Sequence, residues 1–410
     1  MVADSVDIHL PGLGRLLRLS GCPEVADALV AAMPGWPMRV TPASGLAPAI
    51  RLRRAYDGEG DENGGYVQHA PGLRGGLVLP TPVAAVCSLI ADIVAALCER
   101  RAELIGLHCG SVEIEGQLVL FPASHRAGKS TLTAAFAAAG CRVFGDDVLA
   151  LTAEGDGMAL GISPRLRLPL PDIANPDLVA YAERHAGPED PRYRYLSLPE
   201  AELAAHGERR PIGAIVLLER DDTLCDPDLV TLAPGEGLLQ LLCQNFSHDV
   251  PTEALMTRFA PLMTRLPCLL LRYSEPLAAA QCLMARMTSG RIVAGNVSAS
   301  LLGRHSVPGE RLPSGWDKVA LDERFGPCPG VRDYPVGEEL FLIDTASGAL
   351  HRLNSSGQAA WRLLGEEALT VADVADLLVE HHGDVSKPDV EADVQALFGW
   401  MVEARLIESR

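Results

Sequence analysis

The 410-residue sequence has no C-x-x-C pair, no surplus of positive charge and no long uninterrupted apolar run. Each absence closes off a class of function. Ten cysteines stand at 22, 87, 98, 109, 141, 225, 243, 268, 282 and 328. That scatter argues against a zinc site or disulfide frame and for reduced thiols in a cytoplasmic protein. With 35 basic against 53 acidic residues the net charge is −18, so no general attraction to nucleic acid or anionic membrane is expected. The start, "MVADSVDIHLPGLG", carries Asp4 and Asp7 and lacks the apolar stretch of a signal peptide. The most apolar segment, Val83 to Cys98, is interrupted by Asp92. It falls short of the ~20 residues of a membrane span and is expected as a buried helix.

What is present divides the chain into four parts. Residues 1–100 mix short alternating pieces with helical ones and read as an N-terminal α+β region; "PEVADALVAAM" places Val25, Leu29 and Met33 on one helical face. Residues 101–286 interleave strands ("PIGAIVLLER", "CLLLRYS") with helices ("GLLQLLCQNF", "EALMTRFAPLMTRL"), the pattern of an α/β core. Residues 287–335 are rich in Gly, Ser and Pro without sustained periodicity and read as a linker. Residues 336–410 give a strand pair, "ELFLIDT" and "ALHRL", then three helices, with Thr370 as an N-cap and Pro388 near the last helix start.

The chemistry concentrates in "LVLFPASHRAGKSTLTAAF", Leu118 to Phe136. An apolar strand, a turn and a small-residue helix opened by Gly128-Lys129-Ser130-Thr131 are the parts of a phosphate cradle. Glycine admits close backbone approach, the helix start aims N–H groups at the anion, lysine neutralises outer phosphates and a hydroxyl ligates Mg²⁺. The usual first glycine is replaced by Ala123. One helix later, "FGDDVLAL" sets Asp146 and Asp147 just past a short strand. One can hold Mg²⁺ and the other can accept a proton from an incoming hydroxyl. A solvated turn is the bland reading of that pair, and its place after the loop favours the functional one. His108 in "GLHCGS" stands where the chain enters the hairpin feeding the loop, placed to tune the acidic pair.

On these residues, "LIGLHCGSVEIEGQLVLFPASHRAGKSTLTAAFAAAGCRVFGDDVLAL" (Leu104 to Leu151) resembles the catalytic core of the HPr serine kinase family, and the likeness continues more loosely to about Met287. The resemblance implies a phosphoenolpyruvate-carboxykinase-like P-loop fold that uses ATP and Mg²⁺ to phosphorylate serine. It assigns nucleotide binding to Ser124, Arg126, Ala127, Gly128, Lys129, Ser130 and Thr131, metal binding to Ser130 and Asp147, and catalysis to Asp146, Asp147, His108 and Lys129. Arg165 and Arg167 are candidates for a later basic residue near the phosphates. Arg126 stands where the family has glycine.

A strand pair before three helices is also what a winged helix for DNA would show. From Val331 to Arg410, however, six basic face fifteen acidic residues, a net of −9, from which a phosphate-binding face is hard to assemble. The run from Leu353 to Trp361, "LNSSGQAAW", and the helices after it instead resemble PqqD-like peptide-recognition domains. That resemblance implies capture of the leader segment of a ribosomally made precursor peptide, added as a strand at the hairpin edge beside the last helix. The groove is expected along Ala349–Leu353, with Leu350, His351, Arg352 and Leu353 as contacts, and along the helix 390–402. Trp361, Leu363 and Leu364 read as core.

The expectation is a P-loop kinase core of α/β (α+β) class, an N-terminal α+β region and a small winged-helix-like PqqD domain. The implied activity is an ATP- and Mg²⁺-dependent serine kinase of a precursor peptide. A nucleotide-binding peptide chaperone or adaptor, and a kinase of an HPr-like carrier protein, are the alternatives. The expected partner is the leader peptide, with no nucleic acid and no membrane; a homo-oligomer is left open.

Overall fold

The computed structural model describes residues 5–45, 47–55, 64–122, 127–246, 250–289, 319–382 and 386–410. They form two units. The first takes in 5–232, 239–246 and 266–289; the second takes in Ala233–Leu238, 250–265 and 319–410.

The first unit begins with a six-stranded sheet built from β1 (Ser5–Leu10), β2 (Gly14–Ser20), β3 (Arg39–Pro42), β4 (Ile50–Arg54), β5 (Tyr66–His69) and β6 (Leu77–Leu79), in the order β3-β1-β2-β4-β5-β6. Helices α1 (Pro23–Ala32) and α2 (Pro82–Arg100) share its core. Thr81 caps α2 by accepting a hydrogen bond from the Ala84 N–H at 3.0 Å, and Pro82 occupies the first turn, where its missing N–H costs nothing. By length and composition α2 could cross a membrane. Yet Val83, Val86, Leu89, Ile90, Ile93, Val94 and Leu97 repeat at helical spacing and are buried in this unit.

The second sheet carries the loop. It comprises β7 (Ile105–Leu107), β8 (Cys109–Ile114), β9 (Gln117–Pro122), β10 (Arg142–Gly145), β11 (Leu149–Leu151), β12 (Asp156–Met158), β16 (Arg209–Arg220), β17 (Asp228–Thr231) and β18 (Cys268–Tyr273). A small sheet of β13 (Arg165–Arg167), β14 (Ala186–Glu189) and β15 (Tyr193–Leu196) lies between them in sequence. β8 and β9 form the expected hairpin, in which Glu115 (φ 50°) and Gly116 (φ 76°) make a two-residue turn with both residues left-handed, the twist that suits a tight hairpin. β9, β16 and β18 run parallel, so their C-terminal ends point the same way. Helices α3 (Lys129–Ala138), α4 (Pro176–Arg184) and α7 (Pro276–Thr288) complete this core, and α5 spans Pro234–Gln244 and α6 Thr252–Met263.

Two expected boundaries move. Residues 1–100 do not fold apart from 101–286: Leu104, Val148, Met158 and Tyr195 lie in the same apolar cluster as α1, α2 and the first sheet. The expected linker also ends earlier. Part of it, 290–318, lies outside the described residues, while β19 (Phe325–Pro327) and β20 (Val331–Val336) already belong to the second unit's sheets.

In that unit β20, β21 (Glu339–Asp344) and β22 (Leu350–Leu353) form an antiparallel sheet, and β19 pairs with β23 (Ile407–Ser409). Helices α8 (Ser355–Glu366), α9 (Val371–His382) and α10 (Lys387–Glu403) follow the sheet. Asn354 caps α8 through the Gly357 N–H at 2.8 Å. Thr370 and Asp373 exchange side-chain-to-backbone bonds of 3.1 and 3.0 Å in a capping box, with the shorter Asp in place of the usual Glu. Trp361, Leu364, Leu340, Leu342 and Phe398 form the core, with Leu363 packed against it.

Candidate functional site

The phosphate-loop sequence lies where a strand gives way to a helix. β9 ends at Pro122, and α3 opens with Gly128 as its N-cap in the left-handed conformation, φ 91° and ψ 9°. That conformation is cheap for glycine and costs other L-residues about 1–2 kcal/mol. Space makes the same demand, because an added Cβ would meet Tyr273 Oη at 2.6 Å. The Tyr273 hydroxyl also donates a long hydrogen bond to the Ala127 carbonyl, 3.4 Å. Ser124 and Arg126, with Ala123, lie outside the described residues.

A cavity of about 280 Å³ is lined by Ala127, Gly128, Lys129, Ser130 and Thr131 on one side and His108, Asp147 and Arg165 on the other. Lys129 is only 7% exposed. Burial pushes its ammonium pKa down, against the pull of Asp146 and Asp147. A buried cation beside a helix N-terminus is an anion-binding arrangement.

The two aspartates, just past the end of β10, face different surroundings. Asp146 is buried. Its Oδ2 accepts the Arg165 N–H at 3.0 Å, and its Oδ1 has no hydrogen-bond partner. Burial, with the Asp147 charge second, pushes its pKa up to about 7; the Arg165 N–H and the Ser130 hydroxyl act the other way. Asp147 is half-exposed toward the cavity. Arg165 Nη2 lies 2.8 Å from its Oδ2 and His108 Nε2 lies 3.6 Å from its Oδ1. Burial alone would raise the Asp147 pKa, but His108, Arg165 and Lys129 outweigh it and hold the carboxyl below its ordinary value.

The structure brings His108, Ala127–Thr131, Asp147 and Arg165 to one cavity, with Asp146 buried against the Arg165 backbone, and the two aspartates differ in their surroundings. Asp147, expected as the metal ligand, is engaged by two basic side chains. The orphaned oxygen belongs to Asp146, beside Ser130. An unpartnered buried carboxylate oxygen next to a hydroxyl fits a hard divalent cation, which needs only one or two protein oxygens when phosphates and water complete its shell. No cluster of three or more His, Cys, Asp or Glu capable of holding a metal occurs among the described residues. Such a cation would accordingly take most of its ligands from outside the protein.

Sequence reading missed Tyr273, Tyr193 and Arg220. Arg220 ends β16 and Tyr273 ends β18, strands that run parallel to the loop strand β9 in the same sheet, and ligands bind at the carboxyl ends of such strands. That rule was the signal available. Tyr193 contributes a ring with the Arg165 guanidinium 4.8 Å and the Arg167 guanidinium 5.7 Å from its centroid. With Pro169 and Pro171 it forms the outer wall of the cavity.

In the second unit β22 pairs with β21 on one side, and among the described residues no strand pairs with its other edge. His351 on β22 meets Trp400 of α10 edge to face, 5.5 Å between ring centroids. Its Nε2 is buried without a hydrogen-bond partner, and burial lowers its pKa. Leu350 is half-buried at the same edge. Two of the four expected peptide contacts are otherwise committed. Leu353 is 4% exposed and faces the core. Arg352 pairs with Glu339 and, at 2.9 Å, with Glu236.

Residues 339–407 match the family described as coenzyme PQQ synthesis protein D (PqqD), so the chain carries a PqqD domain at its C-terminal end. No curated protein matches the chain. Among solved structures, TbiB1 in complex with the TbiA(beta) leader peptide aligns at 23% identity, over 20% of this chain and 94% of that one, with a TM-score of 0.19. The HPr(Ser) kinase/phosphatase from Coxiella burnetii aligns at 12% identity, over 45% of this chain and 97% of that one, with a TM-score of 0.24.

Proposed function

We propose that the chain is an ATP-dependent kinase that phosphorylates a serine of a ribosomally made precursor peptide held by its PqqD domain. The observation that carries this reading is the divided acidic pair: one buried carboxyl with an orphaned oxygen near Ser130, and one half-exposed carboxylate beside His108 and Arg165 on the cavity that Lys129 lines. A site that only bound nucleotide would have no need of the second carboxylate.

The α3 N-terminus and Lys129 receive the β- and γ-phosphates of ATP. Ser130 and Asp146 are the residues that would hold Mg²⁺, which when bound supplies charge neutralisation across the phosphate oxygens. Asp147 accepts the hydrogen of the incoming serine hydroxyl and aims its oxygen at the γ-phosphorus. The serine O–P bond forms, the bond from phosphorus to the β,γ-bridging oxygen breaks with its electron pair, and ADP leaves. The proton resides on Asp147, with His108 as the next acceptor. Arg165 orients Asp147 and adds positive charge where it develops on the transferring group. Catalysis of this kind is mainly positioning.

The leader adds as a strand to β22, between that edge and α10, with His351 and Trp400 flanking it. All ten cysteines are free thiols, which favours a reducing, cytoplasmic setting.

The test is transfer from γ-labelled ATP with Mg²⁺ to a peptide encoded beside the gene, using wild type, Lys129→Ala and Asp147→Asn. Label on peptide serine, abolished by both substitutions, supports the kinase. ATP binding without transfer to any acceptor supports a nucleotide-binding peptide adaptor. Label on a folded carrier protein but not on peptide redirects the activity to such carriers.

A further inference from the structure

A second and larger cavity, about 760 Å³, lies within the first unit and shares its end wall with the phosphate cavity. The residues common to both are His108, Asp147 and Arg165. The position of α2 sets its course. At one end Cys87 Sγ lies 3.4 Å from Tyr195 Oη, and both line the cavity beside Arg165 and Asp147. Twelve residues on, Glu99 and Arg100 are exposed at the other end, where Arg100 donates to the Leu13 carbonyl at 2.5 Å. At about 1.5 Å per residue α2 gives the trench a length of about 18 Å, room for about five residues of extended chain.

The walls are mostly apolar: α2 contributes Ala91 and Val94, β2 contributes Leu16, β4 contributes Ile50, and Phe246 adds a ring, with Asp92 of α2 a carboxyl among them. The rim is open to water at Ala49, Pro71 and Ala91. Nothing in the phosphate chemistry calls for an apolar trench on the far side of Asp147. On the kinase reading a nucleotide base has another seat to take, the Tyr193 ring with Arg167, Pro169 and Pro171 at the smaller cavity.

We propose that this trench is the acceptor channel. It takes an extended segment of about five predominantly apolar residues and brings the serine next to it onto Asp147, from the side opposite the γ-phosphate. The inference rests on the kinase reading and adds to it the chemistry of the sequence around the acceptor. It also gives the N-terminal sheet a role, since Leu16 and Ile50 are its contribution to the wall. Selectivity follows from desolvation: charged residues beside the serine would lose their water against Leu16, Ile50 and Val94, and the charged side chains at the trench, Asp92, Glu99 and Arg100, lie toward its middle and far end, away from Asp147.

The test uses two leader-free synthetic peptides of ten residues, each with one serine and one photoreactive benzoylphenylalanine. In one the serine is flanked by leucine, valine and alanine; in the other those flanks are aspartate. The full-length protein is irradiated with each and the crosslinks are mapped by mass spectrometry. The apolar peptide is expected to crosslink to α2, and Ala91→Trp or, on the opposite rim, Ala49→Trp to cut that yield about tenfold, with ATP affinity held within about twofold. Both positions are exposed, so neither tryptophan has to enter the core. Crosslinks outside the trench, equal yields from the two peptides, or ATP binding weakened by the tryptophans would overturn the proposal, the last by placing the base there. The two readings fail separately. Mapped crosslinks without phosphate transfer would sink the kinase and keep the channel; transfer indifferent to both tryptophans would keep the kinase and sink the channel.

Discussion

Gly128 offers a quantitative check on the loop. Replacing it with alanine imposes two costs. The left-handed backbone at φ 91° costs a residue with a Cβ about 1–2 kcal/mol. The new methyl also meets Tyr273 Oη at 2.6 Å, well inside van der Waals contact. Tyr273 is 1% exposed, so its ring has no free space to swing into, and overpacking of this kind costs about 1–3 kcal/mol. Gly128→Ala is therefore expected to destabilise the first unit by about 2–5 kcal/mol.

Tyr273→Phe separates the two costs. It removes only the clashing oxygen; the next ring atom, Cζ, would lie 3.8 Å from the new Cβ, an ordinary contact. By itself it loses one long hydrogen bond to the Ala127 carbonyl, worth about 1 kcal/mol or less. In the Tyr273→Phe background Gly128→Ala should thus cost only the backbone term, about 1–2 kcal/mol. The double-mutant cycle closes with a favourable coupling of about 1–3 kcal/mol. Urea unfolding of the four proteins gives the energies, and a fluorescent ATP analogue reports whether the amide cradle recovers with stability. If the double variant is as unstable as the two single losses added together, the loop does not sit against Tyr273 as described.

Four other measurements bear on the site. Lys129→Met keeps the chain length and removes the charge; phosphate transfer should fall at least about a hundredfold, read with labelled ATP, while folding is retained because a buried cation has been replaced by an apolar group. Asp146→Asn should change the pH dependence of stability without nucleotide. The folded carboxyl titrates at about 7, the unfolded one near 4, so the native state binds more protons between those values and this group's contribution to stability falls as pH rises through them. The asparagine variant lacks that decline, and its stability relative to wild type should improve by about 2 kcal/mol between pH 5 and pH 8 in urea titrations. Trp400→Ala should weaken binding of the isolated leader peptide about tenfold by calorimetry, leaving ATP affinity unchanged. Protonation of His351, opposed by burial, would place a charge beside Trp400, and leader affinity measured from pH 7 to pH 5 should fall.

Local signals in the sequence carried most of this. Thr370 with Asp373, the Glu115-Gly116 turn and the helix opened by Gly128 each depend on residues within four positions of one another, and each forms as the pattern says. The side of the acidic pair on which each carboxyl would fall was not legible. It depends on Arg165, eighteen residues beyond Asp147 on a strand of another sheet, whose backbone N–H serves one aspartate and whose guanidinium serves the other. Tyr273 was equally hidden: its contact with Gly128 spans 145 positions and arises only because β9, β16 and β18 are parallel, β16 and β18 running on past the end of β9. Arg352 read as a peptide contact because the resemblance to PqqD-like domains implies a groove along Ala349–Leu353. The two glutamates that hold it, Glu236 and Glu339, could not be assigned to it without the fold.

The adjacency of Asp146 and Asp147 is what permits their division of labour. Asp146 and Asp147 lie in the bend that follows β10, and these two identical groups one residue apart meet different surroundings. One is turned into the protein, where burial favours its proton and only a cation with phosphate would reverse that preference. The other is turned toward His108 and Arg165, which hold its carboxyl below the ordinary value. A pair whose environments push the two carboxyls apart in this way is the usual mark of acid and base assignments in one site. A structural ion pair needs only one carboxylate to satisfy Arg165. The second, dehydrated and with an oxygen left over, adds nothing to stability in the absence of a ligand, and the proposed kinase gives it one: a cation that would arrive with the nucleotide.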